Sequence, residues 1–474
     1  MRKTKIICTI GPACDNEKTL KEMIKSGMNV ARLNFSHGDH STQLKMINLI
    51  KKVREEMSVP IAIMLDTKGP EYRIGTFEKG FVNINTGQEF IFTVDDIIGD
   101  ENKVSVSYKR FNKELNPKDI ILVNNGLVVF EVKEVKGNDV ITVAKTGGVL
   151  SNKKSMNFPG KLLKNKFLSE QDKSDLLFGI ENDVHFVAAS FVSTKKDALD
   201  LRKFLDDNGG KDIDIIAKIE NSSGVNNIEE ISSVVDGIMV ARGDLGVEIP
   251  YIEVPAIQKE IVSKCRLLGK RVIIATEMLE SMINNIRPTR AEISDVANAI
   301  YDGASCIMLS GESAAGKYPV QAVKTMSEVA KYTEEHIDYK RWFKKTDFVN
   351  RNTLDAISHA TCQMAIDIDA KAIIVNSLSG LTARMVSRFR CPVEIIGATT
   401  SEKVYRKLSL SWGVTPVLFY NYNNLDDLFN NTMVETAKIL KLKVGDNIVI
   451  TGGKVGGSIG NTNIIRVEKL TKNY

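Results

Sequence analysis

Lys218-Ile219-Glu220 sets a cation and a carboxylate two positions apart. On an extended strand such residues share a face, so both side chains emerge on one side. Asp244 follows in Ala241-Arg242-Gly243-Asp244. Two carboxylates from adjacent strand ends suit a divalent cation that keeps open positions for substrate oxygens. The competing reading is a structural Lys–Glu ion pair with Asp244 as a helix cap. Gly243 favours the metal reading, because its missing side chain exposes backbone N–H groups to a carboxylate. A second group comprises Arg32-Leu-Asn34-Phe-Ser36-His37-Gly38 and Asp66-Thr67. Asn34, Ser36, Asp66 and Thr67 offer amide, hydroxyl and carboxylate oxygens with one formal negative charge, poor for Mg²⁺ and reasonable for a monovalent cation. Strand-end capping would use the same residue types. His37 and His40 lie in a loop without a third ligand, which predicts capping or solvent exposure rather than a metal pair. Gly311-Glu-Ser-Ala-Ala-Gly316-Lys317 nearly matches a phosphate-binding loop, but Tyr318 stands where the Mg²⁺-ligating Ser or Thr belongs.

These residues need elements to hold them. Eight apolar runs end in polar residues: Lys5–Thr9, Met28–Asn34, Ile61–Asp66, Val184–Ser190, Ile213–Glu220, Gly237–Arg242, Arg271–Thr276 and Ser305–Ser310. Short runs rich in Ile, Val, Ala and Met read as strands buried on both faces. Between them lie amphipathic stretches such as Glu17–Lys25, Thr42–Glu56, Thr194–Asp206, Val254–Leu268 and Pro319–His336. That alternation predicts an α/β chain built on a (β/α)₈ TIM barrel, with chemistry where strands end. The ends carry Thr9, Asn34, Asp66, Ser190, Lys218 with Glu220, Asp244, Thr276 and Ser310.

After the third run the texture changes to short alternating segments (Phe90–Val94, Ile120–Val123, Val128–Val132, Val140–Val143) split by Thr86-Gly87, Asn125-Gly126 and Gly137-Asn138. These are hairpin signals, predicting an inserted all-β lid. Lys340-Arg-Trp-Phe-Lys-Lys345 reads as a solvated connector. Beyond it, Ala372–Asn376, Val393–Ala398, Val414–Leu418, Asn447–Thr451 and Asn463–Val467 predict a separate three-layer α/β domain. The expected division is residues 1–70 and 168–340 for the barrel, 71–167 for the β-barrel lid, and 341–474 for the C-terminal domain.

Composition removes other classes. With 43% hydrophobic and 26% charged residues the chain is neither disordered nor low-complexity. No apolar stretch reaches the ~18–20 residues of a membrane span, and the basic start lacks a cleavable apolar region behind it. A cytoplasmic enzyme with no membrane partner is expected. Cys8, Cys14, Cys265, Cys306, Cys362 and Cys391 show no metal or disulfide spacing, so buried reduced thiols are predicted. The net charge of +5 suits anionic metabolites but not nucleic acid.

The sequence resembles the pyruvate kinase family along essentially its whole length. The resemblance is carried by Lys5-Ile-Ile-Cys-Thr-Ile-Gly-Pro12, Asn29-Val-Ala-Arg-Leu-Asn-Phe-Ser-His-Gly38, Leu65-Asp-Thr-Lys-Gly-Pro-Glu71, Met239-Val-Ala-Arg-Gly-Asp-Leu-Gly246 and Arg287-Pro-Thr-Arg-Ala-Glu292. Ala275-Thr-Glu-Met-Leu-Glu-Ser-Met282 and Met308-Leu-Ser-Gly-Glu312 extend it. The resemblance implies glycolytic phosphoryl transfer from phosphoenolpyruvate to ADP, giving pyruvate and ATP, in a homotetramer. It implies that Arg32 holds the substrate phosphate, that Lys218 stabilises the phosphoryl group in flight, and that Thr276 orients substrate. Gly243 and Asp244 would receive the carboxylate through their backbone. Glu220 and Asp244 would bind Mg²⁺ (or Mn²⁺), and Asn34, Ser36, Asp66 and Thr67 would bind K⁺. Nucleotide contacts would be Asn34, His37, Arg73 and Lys154. Ser377, Ser379, Gly380 and Thr382 resemble a loop for a phosphorylated effector, with Gly452–Gly460 nearby. A plain strand–helix turn is the competing reading there.

The chain departs from the family pattern at Asn124-Asn125, where two aspartates are usual, at Glu277 for Gln, and at Ser155-Met-Asn-Phe158 for Gly-Val-Asn-Leu. Glu71 accompanies potassium dependence in the family, as do Thr67 and Lys68, whereas Ile74 replaces the usual threonine. The rival readings are another barrel enzyme that forms a pyruvate enolate, such as an aldolase or lyase, and a metabolite-sensing paralogue without turnover.

Overall fold

The eight apolar runs become eight parallel strands: Lys5–Thr9, Val30–Asn34, Ala62–Asp66, Phe186–Ala189, Asp214–Ile219, Gly237–Ala241, Arg271–Ala275 and Cys306–Leu309. They close into one barrel, the first pairing with both the second and the eighth. The computed structural model describes residues 1–161, 163–164, 166–419, 424–453, 462–472 and 474. Alternate strand residues divide between two cores. Ile7, Val30, Met64, Phe186, Ile216, Met239, Ile273 and Met308 fill the interior. Their neighbours Ile6, Ala31, Ile63, Val187, Ile215, Ile238, Ile274 and Ile307 pack outward against the helices. Strands covered on both sides cannot carry a polar face, which is why the runs are continuous. Helix starts follow their capping signals: Asp39 caps His40–Glu56 and Thr194 forms a capping box on Lys195–Asp207. Thr289 and Glu292 form another on Arg290–Asp302, so the motif Arg287–Glu292 acts through helix geometry; Glu292 also accepts the N–H and hydroxyl of Ser281.

The insertion is a seven-stranded sheet plus a two-stranded one, around Phe90, Phe92, Phe111 and Phe130. Gly137-Asn138 joins two antiparallel neighbours, Val128–Lys136 and Asp139–Thr146, as a hairpin. Asn125-Gly126 lies in the turn between the paired strands Ile120–Val123 and Val128–Lys136. Thr86-Gly87 does not make a hairpin. The strands flanking it, Phe81–Ile84 and Glu89–Thr93, pair in different sheets, so the turn changes sheet. A turn signal fixes a chain reversal, not the partner chosen after it.

In the C-terminal sheet four strands are parallel, and Thr462–Lys469 is antiparallel to Asn447–Gly453. Helix Thr353–Asp367 packs against Ile373, Val375 and Val449, and helix Leu425–Leu440 against Ile374, Ile396 and Ile450. That is the three-layer arrangement. The basic connector is not simply solvated. Tyr339–Lys345 is helical, Tyr339 and Phe343 are buried, and Arg266 lies over the Trp342 ring.

The C-terminal domain also closes the bottom of the barrel. Leu410 is fully buried within the interior cluster, and Lys407 and Arg271 both pair with Asp214 at the foot of the fifth strand. The basic N-terminus belongs to the same seam: Lys5 Nζ donates to the Val414 carbonyl, and the Lys3 and Thr4 N–H groups donate to Glu334. All six cysteines are free and buried. Among the described residues no helix is long and apolar enough to cross a membrane.

His185 gives a stability prediction. Its ring is buried and Nδ1 accepts the Ile63 N–H, so burial, with Arg54 adding, holds the imidazole well below its usual value. A depressed histidine contributes full stability above its unfolded value, near 6.5, and loses it as pH falls further, because only the unfolded chain takes the proton. Between pH 7.5 and 5.5 this group costs about 1.4 kcal/mol. Denaturant titrations should therefore show a larger acid loss for the wild type than for His185→Gln. Equal losses would clear His185 of that role.

Candidate active site

The polar strand ends converge on one rim of the barrel. Lys218 is buried and its ammonium meets three acceptors: Asp66 Oδ1 at 3.0 Å, Ser190 Oγ at 2.7 Å and Glu220 Oε1 at 2.8 Å. Burial opposes its charge, yet Asp66 and Glu220 outweigh that and raise its value. Asp66 is buried too and also receives Arg32 Nε at 2.6 Å. Its carboxyl is held below the usual range by Arg32 and Lys218 against the opposing effect of burial. Arg32 is fixed a second time, Nη1 donating to Thr9 Oγ1 at 2.8 Å.

Glu220 behaves differently. Burial, reinforced by Asp244, pushes its carboxyl up to about 7 despite Lys218. Asp244 opens to the cleft; desolvation on its protein side, with Asp66 and Glu71 adding, raises it against the pull of Lys218. A site that crowds two carboxylates until both resist ionising is relieved by a divalent cation, so the residues fit the expected metal. The Lys218–Glu220 ion pair of the competing reading is present as well. Asp244 is not a helix cap: it lies inside helix Arg242–Glu248, whose N-cap is Ala241.

Gly243 N–H is not free, since it donates to Thr276 Oγ1 at 2.8 Å. The hydroxyl in turn donates to the Ala275 carbonyl at 2.6 Å, so the donor expected to meet a carboxylate is engaged within the chain. Thr276 and Glu277 are both left-handed, with φ of 67° and 55°. For a β-branched residue this is strained backbone, and the surroundings impose it. Arg242 donates to the Thr276 carbonyl at 2.7 Å while gripping Asp295 through both carboxylate oxygens.

Asn34 and Asp66 sit directly opposite in register on the second and third strands. Gln43 fixes the following loop by donating to the Asn34 and His37 carbonyls. Asn34 Oδ1 accepts the Ser36 N–H, and both Ser36 and His37 are exposed. Among Asn34, Ser36, Asp66 and Thr67 the only formal charge is Asp66, which two cations already share. A further divalent ion is disfavoured there, and neutral oxygens around one carboxylate fit a large monovalent ion. His40 is neither a cap nor free in solvent: Nε2 meets Asp175 Oδ1 at 2.7 Å and the ring stacks on Phe178.

A cleft of about 990 Å³ opens between barrel and lid. Gly243, Asp244, Thr276 and Glu277 line it from the barrel, and Arg73, Asn124, Asn125 and Lys154 from the lid side. Arg32, Asn34, Ser36, His37, Asp66, Thr67, Lys218 and Glu220 are not in that lining; the buried cluster meets it through Phe191, whose N–H Glu220 accepts. Arg73 pairs with Glu71 and donates to the Lys153 carbonyl. Asn124, Asn125 and Gly126 are all left-handed, a conformation that Asn and Gly tolerate best. Asn157 Nδ2 on the lid donates to Glu248 Oε1 at 3.0 Å, on the helix that carries Asp244. The loop Gly311–Lys317 cradles no phosphate, because the buried Glu312 carboxylate occupies it, accepting the N–H groups of Leu279 and Ser310.

In the C-terminal domain the hydroxyls of the loop 377–382 bond within the chain. Ser377 Oγ accepts the Gly380 N–H, Ser379 Oγ accepts the Leu381 N–H, and Thr382 Oγ1 meets Thr462 Oγ1 at 2.6 Å. Both polar atoms of the buried Asn376 amide lack a partner among the described residues. Most of the Gly452–Gly460 segment lies outside the described residues.

Residue types alone did not single out Thr9 as the seat of Arg32, Arg242 with Asp295 as the brace of Thr276, or the Phe191 N–H on Glu220 Oε2 at 2.6 Å. Thr9 carried a usable signal as a polar strand end.

Two family profiles match the chain. The family profile "Pyruvate kinase, barrel domain" matches residues 1–323, and "Pyruvate kinase, alpha/beta domain" matches residues 355–468. The chain is 45% identical over 474 residues to a pyruvate kinase of Clostridium perfringens, covering 99% of this chain and 100% of the other. A pyruvate kinase of Bacillus licheniformis is 44% identical over 470 residues, covering 98% of this chain and 80% of its own length. Among solved structures, a pyruvate kinase from Cryptosporidium parvum superposes with a TM-score of 0.94 at 36% identity, covering 99% and 96% of the two chains.

Proposed function

We propose a set of residue roles from one premise: the chain belongs to the pyruvate kinase family. It is a phosphotransferase that moves a phosphoryl group from phosphoenolpyruvate to ADP, giving pyruvate and ATP in glycolysis. Such a transfer demands positioned positive charge around spreading negative charge, rather than a covalent nucleophile. Arg32, clamped by Asp66 and Thr9, receives the substrate phosphate. Lys218 stabilises the phosphoryl group between donor and acceptor. The Gly243 and Asp244 backbone receives the substrate carboxylate once the Gly243 N–H leaves Thr276 Oγ1, Thr276 orients substrate, and the brace from Arg242 keeps that turn in place. The observation that carries this reading is the buried contact set Arg32–Asp66–Lys218–Glu220 beside the cleft.

The family generally uses a divalent metal and potassium. For this chain we assign Mg²⁺ or Mn²⁺ to Glu220 and Asp244, and K⁺ to Asn34, Ser36, Asp66 and Thr67. Bound there, the two ions would supply Lewis-acid polarisation and extra positive charge to phosphoryl oxygens. Arg73 and Lys154, which line the cleft, are assigned to the nucleotide together with Asn34 and His37, which lie outside that lining. We further propose that residues 71–167 close as a lid over barrel segments 1–70 and 168–340. Residues 341–474 would serve regulation and assembly of a cytoplasmic homotetramer. Light scattering of the purified chain tests the assembly. Pyruvate formation from phosphoenolpyruvate and ADP, with each cation varied separately, tests the chemistry. Aldol or lyase products without ATP, or ligand binding without turnover, would overturn it.

Two predictions arise here. Asn125 accepts the Ser155 hydroxyl at 3.0 Å, a bond that an aspartate preserves. Asn125→Asp therefore adds charge to the lid without disturbing its turn, and the apparent nucleotide constant should fall about threefold, roughly what one exposed charge contributes. An unchanged or raised constant would show that this lid does not rely on charge. A phosphorylated effector is proposed at Ser377, Ser379, Gly380 and Thr382, supported by the buried Asn376 amide at the end of the preceding strand, whose polar atoms have no partner among the described residues. Substrate saturation curves should shift with one member of a panel of sugar phosphates and nucleotides. A panel that leaves every curve unchanged counts against the site.

A further inference from the structure

Ser190 ends the run that leads into the fourth barrel strand and is 2% exposed. Its Oγ accepts from Lys218 Nζ at 2.7 Å and donates to the Thr67 carbonyl at 2.6 Å, and its N–H donates to Thr67 Oγ1 at 3.1 Å. One hydroxyl thus bridges the lysine assigned to phosphoryl transfer and a residue assigned to the monovalent cation.

An ammonium has three N–H donors, and Lys218 spends them on Asp66, Glu220 and Ser190. To offer an N–H to a phosphoryl oxygen it must release one of the three. Asp66 is fixed by Arg32 at 2.6 Å, and Glu220 is the acceptor that a divalent cation would compete for. Ser190 differs from both. It is neutral, and its shortest anchor is the Thr67 backbone carbonyl at 2.6 Å, with Asp66 Oδ1 more distant at 3.4 Å.

We propose that Ser190 is a positioning residue that aims Lys218 at the transferring group and, through the Thr67 carbonyl, couples that aim to the monovalent-cation oxygens. The proposal rests on the roles assigned above to Lys218 and Thr67. Removing the hydroxyl has two consequences of opposite sign. Lys218 loses its neutral tether and swings between two carboxylates, which slows transfer. The Thr67 carbonyl loses its internal donor, and in this proposal it would then join the Thr67 hydroxyl as an oxygen for the cation, which tightens cation binding. A merely structural serine would weaken both together.

The test compares full-length wild type, Ser190→Ala and Ser190→Thr in steady-state kinetics. In parallel, melting temperature is titrated with potassium against tetramethylammonium at constant ionic strength, with saturating phosphoenolpyruvate and no nucleotide. Ser190→Ala should lose about 30-fold in kcat, the scale of one hydrogen bond to a charged group, with the phosphoenolpyruvate KM within about twofold. Its half-saturating potassium in the melting assay should fall about threefold, since the freed carbonyl is a better ligand. Ser190→Thr keeps the hydroxyl and should recover most of both. An alanine variant with near-normal kcat overturns the aiming role. Slow turnover with unmoved or weakened potassium binding overturns the coupling. A threonine variant no better than alanine shows that shape, not the hydroxyl, is what matters, and overturns both. A wild type whose melting temperature ignores potassium removes the cation assignment and the coupling with it, while the kcat comparison still judges the aim.

Discussion

Lys218→Met is expected to lower turnover by about 10³-fold or more, at ~1.4 kcal/mol per decade, while the chain stays folded. Methionine keeps an unbranched apolar stem of similar length and deletes the ammonium with its three N–H donors. The loss falls on the transition state, because a buried ammonium among phosphoryl oxygens acts where negative charge spreads and water is excluded. The surrounding contacts say why the fold should survive. Asp66 keeps Arg32 at 2.6 Å, so no carboxylate is left without a cation there. Glu220 already sits at about 7, so it can take up a proton once its partner is gone, and it still accepts the Phe191 N–H. Divalent binding should be retained or slightly tightened, because the ammonium that competes for Glu220 Oε1 has been removed. Calorimetric titration with Mn²⁺ alongside the rate assay separates these effects. Near-normal turnover would remove Lys218 from the chemistry, and lost Mn²⁺ binding with lost rate would make its role structural.

The barrel was legible because strands buried on both faces leave a continuous apolar run that stops where polar side chains are needed. Lys218, Glu220, Asp66 and Asp244 could be read from those stops. Their connections could not. Lys218 and Asp66 are 152 residues apart, Lys218 and Ser190 are 28 apart, and only strand order and register bring them into contact. Ser190 therefore read as one polar strand end among eight. The same limit explains Thr86-Gly87, whose reversal is encoded locally while its sheet partners are not. His40 looked like a loop residue because neither Phe178 nor Asp175 is near it in sequence. Lys340–Lys345 looked solvated because its basic residues hide an aromatic face that packs on elements far away in the chain. Basic Lys3 and Lys5 met C-terminal partners for the same reason.

Activity should require potassium. Replacing it with tetramethylammonium at constant ionic strength and saturating Mg²⁺ should cost about 10²-fold in rate, restored by adding potassium back, as expected for losing one charge-stabilising group at the transition state. Asn34 and Asp66 face each other across neighbouring strands, with Thr67 one residue on. The single negative charge of Asp66 is shared by Arg32 and Lys218. A cation entering that group meets two resident cations, so it binds weakly until an anion arrives. With the substrate phosphate on Arg32, as proposed above, phosphoenolpyruvate would supply that anion. Potassium and substrate phosphate should then raise each other's affinity by the same factor, as linkage demands. Glu71 sharpens the test. It lines the cleft, pairs with Arg73 and contributes to the raised carboxyl of Asp244, so its charge is felt at the site. Glu71→Lys deletes one negative charge and adds a positive one there, which should give a variant with partial activity in tetramethylammonium and a smaller gain from potassium. Full wild-type activity without potassium would sink the assignment. A potassium requirement unchanged by Glu71→Lys would keep the cation but show that charge at position 71 does not substitute for it.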